Sequence, residues 1–339
     1  MKNFVATLLL ATSMSALAQT PPATTPASVP ELPAPLPAGI FKASKSAEIL
    51  KNGRDLGIGQ FSVVFLTKKV DYDGGGFLSV GGEGKAVGHL QGVTGDTMQK
   101  ITDDIYADFT ARMAENGIAI DNGSAIKGVS NWAKVKQIGQ GSEVFVTLRK
   151  KDKADGLVYF PAAIGHTGNM ILQSGMFDFS MGQMSTASYM AANDSGKPII
   201  NIVYVVDFAA PAKSRNGGLF HDMQVKSELA MSTFGTQMRF SLPKGKYGDA
   251  NLTAPIVESG DFAEIEDKTG DANKAIDKAL KIGIAVFGGP KTGNLQRRFY
   301  FNVTDQDVFA AKVVASGRRA NDGILALFSD ESSTRRVEQ

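Results

Sequence analysis

Residues 96–120 read DTMQKITDDIYADFTARMAENGIAI, the clearest single element in the sequence. Apolar side chains recur in it at spacings of three and four, which predicts one buried face of an α-helix; they are Met98, Ile101, Ile105, Phe109 and Met113. Asp96 is the predicted N-terminal cap, and Asn116-Gly117 the predicted end, where a left-handed residue is favoured. Polar residues are predicted on the outer face: Lys100, Asp103, Asp104, Asp108 and Arg112.

The segments on either side of this helix predict strands. Phe61–Leu66 is rich in β-branched and aromatic residues, which is typical of a buried strand. Between it and the helix, six glycines in residues 74–84 predict a hairpin or a mobile flap. Ile118–Ile120 follows the helix as a second strand. The order of strand, glycine loop, helix and strand predicts a βαβ-like unit.

The middle of the chain is predicted to be mostly strand. Val144–Leu148 and Leu157–Phe160 are two candidates, and a helix from Met184 to Ala192 comes before the longest apolar run, Ile199–Phe208. Such a run is typical of a strand that is buried on both faces. Residues 223–242 alternate in polarity about Phe234-Gly235-Thr236, which predicts a hairpin.

The last third repeats the order of helix and strand. We expect a helix from Asp271, a strand over Ile282–Phe287, a strand over Phe299–Phe301 and a final helix capped by Thr304 or Asp305. The predicted fold class is therefore α+β or α/β, with a mixed sheet and several flanking helices. A transmembrane barrel needs many regular strands of alternating apolarity, and the sequence has too few of them and is interrupted by helical stretches.

The N-terminus has the features of an export signal. Lys2 is followed by the apolar run Phe4–Ala11 and by Ala16-Leu17-Ala18, which is typical of a signal peptide, 1–18, cleaved after Ala18. Seven prolines then predict an extended linker over 19–40. We expect a mixed α/β globular region at 41–329, either undivided or split into subdomains 41–195 and 196–329, and a polar tail at 330–339.

Composition excludes several classes of protein. Lys and Arg total 36 against 34 for Asp and Glu, so no basic excess predicts binding to nucleic acid or anionic lipid. The absence of cysteine excludes disulfides, thiolate metal sites, a cysteine nucleophile and the lipidated residue of a lipoprotein. After the signal, no apolar run approaches the ~20 residues of a spanning helix, so stable membrane insertion is not expected. We expect a periplasmic or secreted protein.

No motif predicts a catalytic, cofactor or metal site. The lysines that follow glycine-rich turns, Lys85 and Lys291, lack the rest of a phosphate-binding loop. The three histidines, His89, His166 and His221, lack metal-ligand spacing and are interpreted as structural. Trp132 is the only tryptophan and is also interpreted as structural.

Acidic residues give two weak cation signals. Asp71 and Asp73 precede three glycines, as in a calcium loop, but the later ligand positions are glycine or apolar. An acidic stretch is predicted to be a solvated face, with weak calcium binding as the alternative; its members are Glu258, Asp261, Glu264, Glu266 and Asp267. We therefore predict no cofactor and no metal.

Ile101–Phe109 and Gly117–Ile120 resemble the first helix and strand of periplasmic α/β domains. The type is found at the N-terminus of TolB and in the curli secretion lipoprotein. The helix near Met184, leading into Ile199–Phe208, fits the next step of that pattern. The resemblance is one of element order over about half of the chain. The chain lacks the lipidated cysteine of the curli protein and the β-propeller repeats of TolB. The resemblance implies an envelope assembly or binding module.

The expected function is an exported cell-envelope binding or assembly module without catalytic activity, with another envelope protein as its candidate partner. Two alternatives stay open. A hydrolase such as a glycosidase could use scattered carboxylates, and two acids with raised pKa values in one cleft would favour it. A surface or filament-associated structural protein would be favoured by a broad exposed apolar patch or an unpaired sheet edge.

Overall fold

The computed structural model describes residues 39–44, 50, 53–73, 84–147, 153–166, 179–209, 227–270 and 296–328. The helices are α1 (Gly95–Glu115), α2 (Ser124–Lys127), α3 (Phe179–Ser195) and α4 (Gln306–Leu325). The strands are β1 (Phe41–Ala43), β2 (Asp55–Asp73), β3 (Gly84–Gln91), β4 (Ala119–Asp121), β5 (Ser142–Thr147), β6 (Lys153–Tyr159), β7 (Ile199–Asp207), β8 (Leu229–Met231), β9 (Gln237–Leu242), β10 (Lys246–Leu252), β11 (Ile256–Glu258), β12 (Glu264–Asp267) and β13 (Gln296–Asn302).

The strands form one mixed sheet that is organised around β2. This strand has 19 residues and is long enough to take two partners along each edge. It pairs in parallel with β4 and β7 and antiparallel with β3 and β6. The open sheet runs from β1 at one end to β12 at the other. The expected mixed α and β fold with a mixed sheet is confirmed.

The βαβ-like unit is also confirmed. After β2, the chain returns antiparallel as β3, forms α1 and re-enters the sheet as β4, parallel to the start of β2. The loop of the β2–β3 hairpin, residues 74–83, lies outside the described residues. Strands from both halves of the predicted globular region share the sheet, because β2 pairs with β7 from Gly57 to Phe65.

Helices cover both faces of the sheet. On one face, the ring of Phe61 in β2 packs edge-on against Tyr106 of α1, with ring centroids 5.0 Å apart, and the hydroxyl of Tyr204 in β7 donates to Asn321 of α4 at 2.7 Å. On the other face, the amide of Asn201 in β7 donates to Ser188 of α3 at 3.0 Å. All nine residues of β7 are buried, so the prediction of a strand buried on both faces is confirmed.

Helix α1 has the predicted buried face and C-terminus, but a different N-terminal cap. Thr94, not Asp96, is the cap, because its hydroxyl accepts a hydrogen bond from the Thr97 amide at 3.2 Å. At the other end, Gly117 has φ +70°, the left-handed conformation that glycine adopts without strain. The predicted outer face is wrong at Asp108, whose side chain is only 15% exposed and is hydrogen-bonded to Asn321.

The predicted hairpin about Phe234-Gly235-Thr236 is wrong. Both β8 and β9 pair antiparallel with β7, one after the other, instead of pairing with each other. The segment 232–236 is an insertion between them that stays attached to β7: Val205 donates its amide proton to the hydroxyl of Thr236 at 3.0 Å and accepts one from the Ser232 amide at 2.7 Å. A side-chain hydroxyl thus replaces a backbone acceptor where the ladder is interrupted.

The remaining predicted elements divide into two groups. The strands near Val144, Leu157 and Phe299 are confirmed, as is the final helix with Asp305 as its cap. The helix predicted at Met184 is longer and runs over Phe179–Ser195. The signal at 1–18, the helix and strand predicted over 271–287 and the tail at 330–339 lie outside the described residues.

All described residues belong to one compact unit. Within them, no helix combines the length and the apolarity needed to cross a membrane.

Candidate functional site

A cavity of about 530 Å³ lies between α2, the 3-10 turn Ser130–Lys134, the loop that follows this turn and the 3-10 turn Ala162–Ile164. Ligand pockets in proteins have volumes of roughly 300–1,000 Å³. We call this cavity the Trp132 pocket; it is lined by Lys127, Trp132, Gln137, Gln140, Pro161, Ala162, Gly165 and His166.

The start of α2 places one wall of the pocket. The carboxylate of Asp121 accepts hydrogen bonds from the amides of Ser124 at 2.8 Å and Ala125 at 2.9 Å, which satisfies the first free donors of this short helix. Gly123 precedes the helix with φ +88°, and a Cβ atom there would collide with the ring of His166. Glycine is therefore required at position 123 for two reasons, backbone conformation and space.

Both ring nitrogens of His166 face backbone carbonyl oxygens, and a neutral imidazole can donate to only one of them. Its Nε2 lies 2.8 Å from the carbonyl oxygen of Gly59, and its Nδ1 lies 3.2 Å from that of Ile164. Burial lowers the pKa of His166 below its ordinary value of about 6.5; the contact with the Gly59 carbonyl opposes this shift, and the nearby charge of Lys127 adds to it. The ring is therefore neutral at pH 7, and the shorter contact favours the tautomer that carries its proton on Nε2.

The indole of Trp132 meets His166 edge to face. The ring centroids are 4.8 Å apart and the planes are inclined by 87°. Trp132 is half-buried and also packs against the hydrophobic core. Its position is therefore fixed by two contacts, one with the core and one with the imidazole of His166. The structure thus gives Trp132 a place in the pocket wall in addition to the structural role interpreted from the sequence.

Lys127 supplies the positive charge of the pocket. Its Nζ donates to the carbonyl oxygen of Ile164 at 3.0 Å and lies 3.5 Å from that of Gly165. Both partners are neutral, and none of the described residues that line the pocket is acidic. An ammonium group has three donors. Lys127 therefore keeps an uncompensated charge at the pocket.

Gln140 holds the opposite wall. Its side-chain amide donates to the carbonyl oxygen of Phe160 at 2.7 Å and accepts from the amide of the same residue at 2.8 Å. These two hydrogen bonds resemble those between paired strands, and they hold the backbone in place just before Pro161. The polar side chains Lys127, Gln140 and His166 in the pocket lining are thus held in place by contacts with backbone groups.

A second cavity, of about 580 Å³, lies along α1, β4 and residues 162–163. Its polar side chains are committed to neighbours: the hydroxyl of Tyr106 donates to Asn122 at 2.6 Å, and the carboxylate of Asp103 accepts from the Ala162 amide at 2.8 Å. Burial raises the pKa of Tyr106 well above its ordinary range, so its hydroxyl stays protonated. The Trp132 pocket, which has an uncompensated charge, is the better candidate for a binding site.

The other histidines do not join His166 in a described cluster. His89 in β3 stacks on Tyr300 of β13 with centroids 5.1 Å apart, and burial, followed by Lys68, lowers its pKa. His221 lies outside the described residues. In the part of the chain that the structure describes, no group of three or more His, Cys, Asp or Glu residues is arranged to hold a metal ion.

The remaining motif residues occupy structural positions. Lys85 lies inside β3, and Asp71 is buried within β2, so neither belongs to a ligand-binding loop. Lys291 lies outside the described residues. Glu264, Glu266 and Asp267 are exposed on β12, as expected for a solvated face. The same prediction is wrong for Glu258, whose carboxylate binds Arg319 at 3.0 Å with only 16% of its side chain exposed.

One signal in the sequence could have indicated the pocket. Residues 130–140 read SNWAKVKQIGQ and combine the only tryptophan with two lysines and two glutamines. The other contributors, Lys127 and His166, come from separate turns. Only the fold brings them together.

No protein-family model, curated protein or solved structure matches this chain.

Proposed function

We propose that this protein is an exported binding or assembly module of the cell envelope, and that the Trp132 pocket is its binding site. The observation that carries the proposal is the position of His166: its Nε2 donates to the carbonyl oxygen of Gly59, and the carbonyl oxygen of Ile164 occupies the space in front of Nδ1, at 3.2 Å. A general base needs a nitrogen within reach of a substrate proton. In this pocket the imidazole serves as a wall, which favours binding over catalysis.

The surroundings of an acid with a raised pKa also favour binding over a carboxylate hydrolase. Burial raises the pKa of Asp322, but its carboxylate is bound by Arg112, which also binds Asp108. Asn321 donates to Asp108 as well, at 2.9 Å. These acids connect α1 to α4 and are occupied by cations and an amide. A glycosidase acid with a raised pKa would have to face a sugar instead.

A structural role is the second candidate, and β5 is the observation that favours it. Among the described strands, β5 pairs with β6 along one edge, and its other edge is unpaired. Phe145 in this strand is 40% exposed. An unpaired edge can take an added strand from another chain. Filament formation would use this edge, whereas a binding module would use the pocket.

The test is in-cell crosslinking of the tagged full chain in its native host. A photo-activated residue replaces Gln137 at the pocket, and in a matched control it replaces Tyr247, which is 80% exposed on β10. We expect a discrete adduct with one envelope protein or envelope component from position 137, in the periplasmic or membrane fraction. Adducts of the same kind from both positions, or retention of the chain in the cytoplasm, would overturn the proposal. A ladder of self-adducts would support the filament candidate instead.

A further inference from the structure

The charge and the packing of the Trp132 pocket together indicate what kind of ligand it takes. Lys127 presents its ammonium to the pocket, held there by the carbonyl oxygens of Ile164 and Gly165. Neutral acceptors orient an ammonium group without cancelling its charge. Since the described lining contains no carboxylate, a ligand would have to bring the counter-charge.

The other walls are apolar or neutral. Trp132 offers an indole surface, and Pro161 and Ala162 add apolar contacts. Gln140 is engaged with Phe160 and contributes no charge. The flat surface of an indole packs well against an aromatic ring or the apolar face of a sugar ring. A volume of about 530 Å³ is suited to a ligand of one or two rings.

We propose that the Trp132 pocket binds a small organic anion, whose carboxylate or phosphate pairs with Nζ of Lys127 and whose ring packs against Trp132. This rests on the proposed function, in that the pocket is taken as the binding site. Two kinds of molecule share the chemistry: sugar acids and aromatic acids. Lys134 and Lys136, exposed on the same loop as Trp132, add to the positive potential that an approaching anion meets.

The experiment uses the emission of Trp132, which is the only tryptophan of the chain and therefore reports on this pocket alone. The full chain is titrated with two pairs of probes matched in shape, glucuronate against glucose and benzoate against benzyl alcohol. We expect a saturable change in emission with the charged member of one pair and no change with its neutral partner at the same concentration. The pair that responds tells a sugar acid from an aromatic acid. The affinity falls as salt is added, because exposed charge pairs are screened.

Two variants connect the response to Lys127. Lys127→Met keeps the length of the side chain and removes the charge, so the affinity for the responding anion falls about tenfold or more, as expected for a lost charge-assisted hydrogen bond. Lys134→Met removes a charge of the same sign from outside the pocket lining and changes the affinity less than threefold. Thermal unfolding of both variants shows that they are folded.

Three results would overturn the proposal: equal responses to the charged and neutral members of a pair, an unchanged affinity in Lys127→Met, or no response to any of the four probes. The crosslinking experiment at Gln137 is read independently. An adduct at position 137 without anion selectivity refutes the ligand class and leaves the binding function in place. Anion selectivity in a chain that stays in the cytoplasm refutes the envelope function and leaves the ligand class in place.

Discussion

At the scale of single residues, His166 makes the stability of the protein and the surroundings of Trp132 depend on pH. Its folded pKa lies below the ordinary value of about 6.5, so the unfolded chain binds a proton more readily than the folded chain. The stability due to the neutral ring is complete above pH 6.5 and is lost as pH falls through the folded pKa. The contact of this ring with Trp132, at a centroid distance of 4.8 Å, makes the titration visible.

We predict that the emission of Trp132 is constant above pH 6.5 and falls below it, because a protonated imidazole in contact with indole quenches its fluorescence. His166→Gln should remove this titration and make stability less sensitive to acid over the same range. His89→Gln is the matched control, since the pKa of His89 is also lowered but its ring stacks on Tyr300. A titration that persists in His166→Gln would contradict the prediction.

A buried ion pair gives a second prediction at this scale. Nζ of Lys69 lies 2.8 Å from a carboxylate oxygen of Asp207, and both side chains are less than 10% exposed, at 8% and 7%. The other carboxylate oxygen accepts the Ala209 amide at 2.9 Å. Lys69→Met leaves a buried carboxylate without its cation and should lower the free energy of unfolding by about 3–5 kcal/mol.

Chemical denaturation measures this loss, and the double variant Lys69→Met/Asp207→Leu is the control. Replacing both charges with apolar groups removes the uncompensated carboxylate, so the double variant should be more stable than Lys69→Met alone. If the double variant loses at least as much free energy of unfolding as Lys69→Met, the attraction between the two charges exceeds the cost of burying them.

At the scale of elements, the N-terminus of α1 shows what local sequence can and cannot predict. Thr94 and Asp96 are both good capping residues, and periodicity alone does not choose between them. The choice is made by Gln306 at the start of α4, whose side-chain oxygen accepts from both the amide and the hydroxyl of Thr94, at 3.2 and 3.1 Å. This partner is remote in sequence, so the helix was predictable and its cap was not.

We predict that Thr94→Ala lowers the free energy of unfolding by about 1 kcal/mol, because it removes the acceptor of the Thr97 amide and the contact with Gln306. Asp96→Ala is the control and should cost a few tenths of a kcal/mol, the small effect of an exposed acid in the first helical turn. If both variants lose the same free energy of unfolding, Thr94 contributes no more than Asp96 and the prediction is wrong.

The close packing of α1 and α4 gives another prediction. Gly317 of α4 faces Ile105 of α1, and a Cβ atom there would lie 2.6 Å from two side-chain carbons of Ile105, which is fully buried. Alanine is otherwise the better helix former. Gly317→Ala should nevertheless destabilise the protein by about 1–3 kcal/mol, because the branched side chain has no room to move.

Denaturation of the double variant Ile105→Ala/Gly317→Ala checks the cause. If the clash is responsible, the double variant loses less stability than the two single losses added together. Strict additivity would mean that Gly317 matters for a reason other than its contact with Ile105.

The errors at the element scale have a common physical origin. Alternating polarity in residues 223–242 indicates which side chains are buried, but it does not specify which neighbour a strand pairs with. Both β8 and β9 satisfy the pattern by pairing with β7. Likewise, Trp132 and the polar residues around it are visible in the sequence. The position of His166 depends on the carbonyl of Gly59 and the space above Gly123, which only tertiary structure supplies.

At the scale of the whole molecule, the strand pairing of the sheet indicates whether part of the chain can fold on its own. Residues 41–195 contain β2 but lack β7, which covers one edge of β2 from Gly57 to Phe65. We predict that this fragment, expressed alone, does not fold, because the lost strand exposes that edge and its apolar faces. Circular dichroism and amide exchange of the fragment check this, with residues 39–328 as the control. A folded fragment would establish the two predicted subdomains as separate units.

The early position of β2 in the sequence affects the order of events while the protein is being made. Its parallel partner β7 and the helix α4, which packs on α1, leave the ribosome long after β2 itself. Contacts between such distant segments form late and slowly. Most of the chain is therefore synthesised before its central strand has all of its partners. In the export that we propose, a translocation channel that threads only unfolded polypeptide would meet this protein in a state that it can transport.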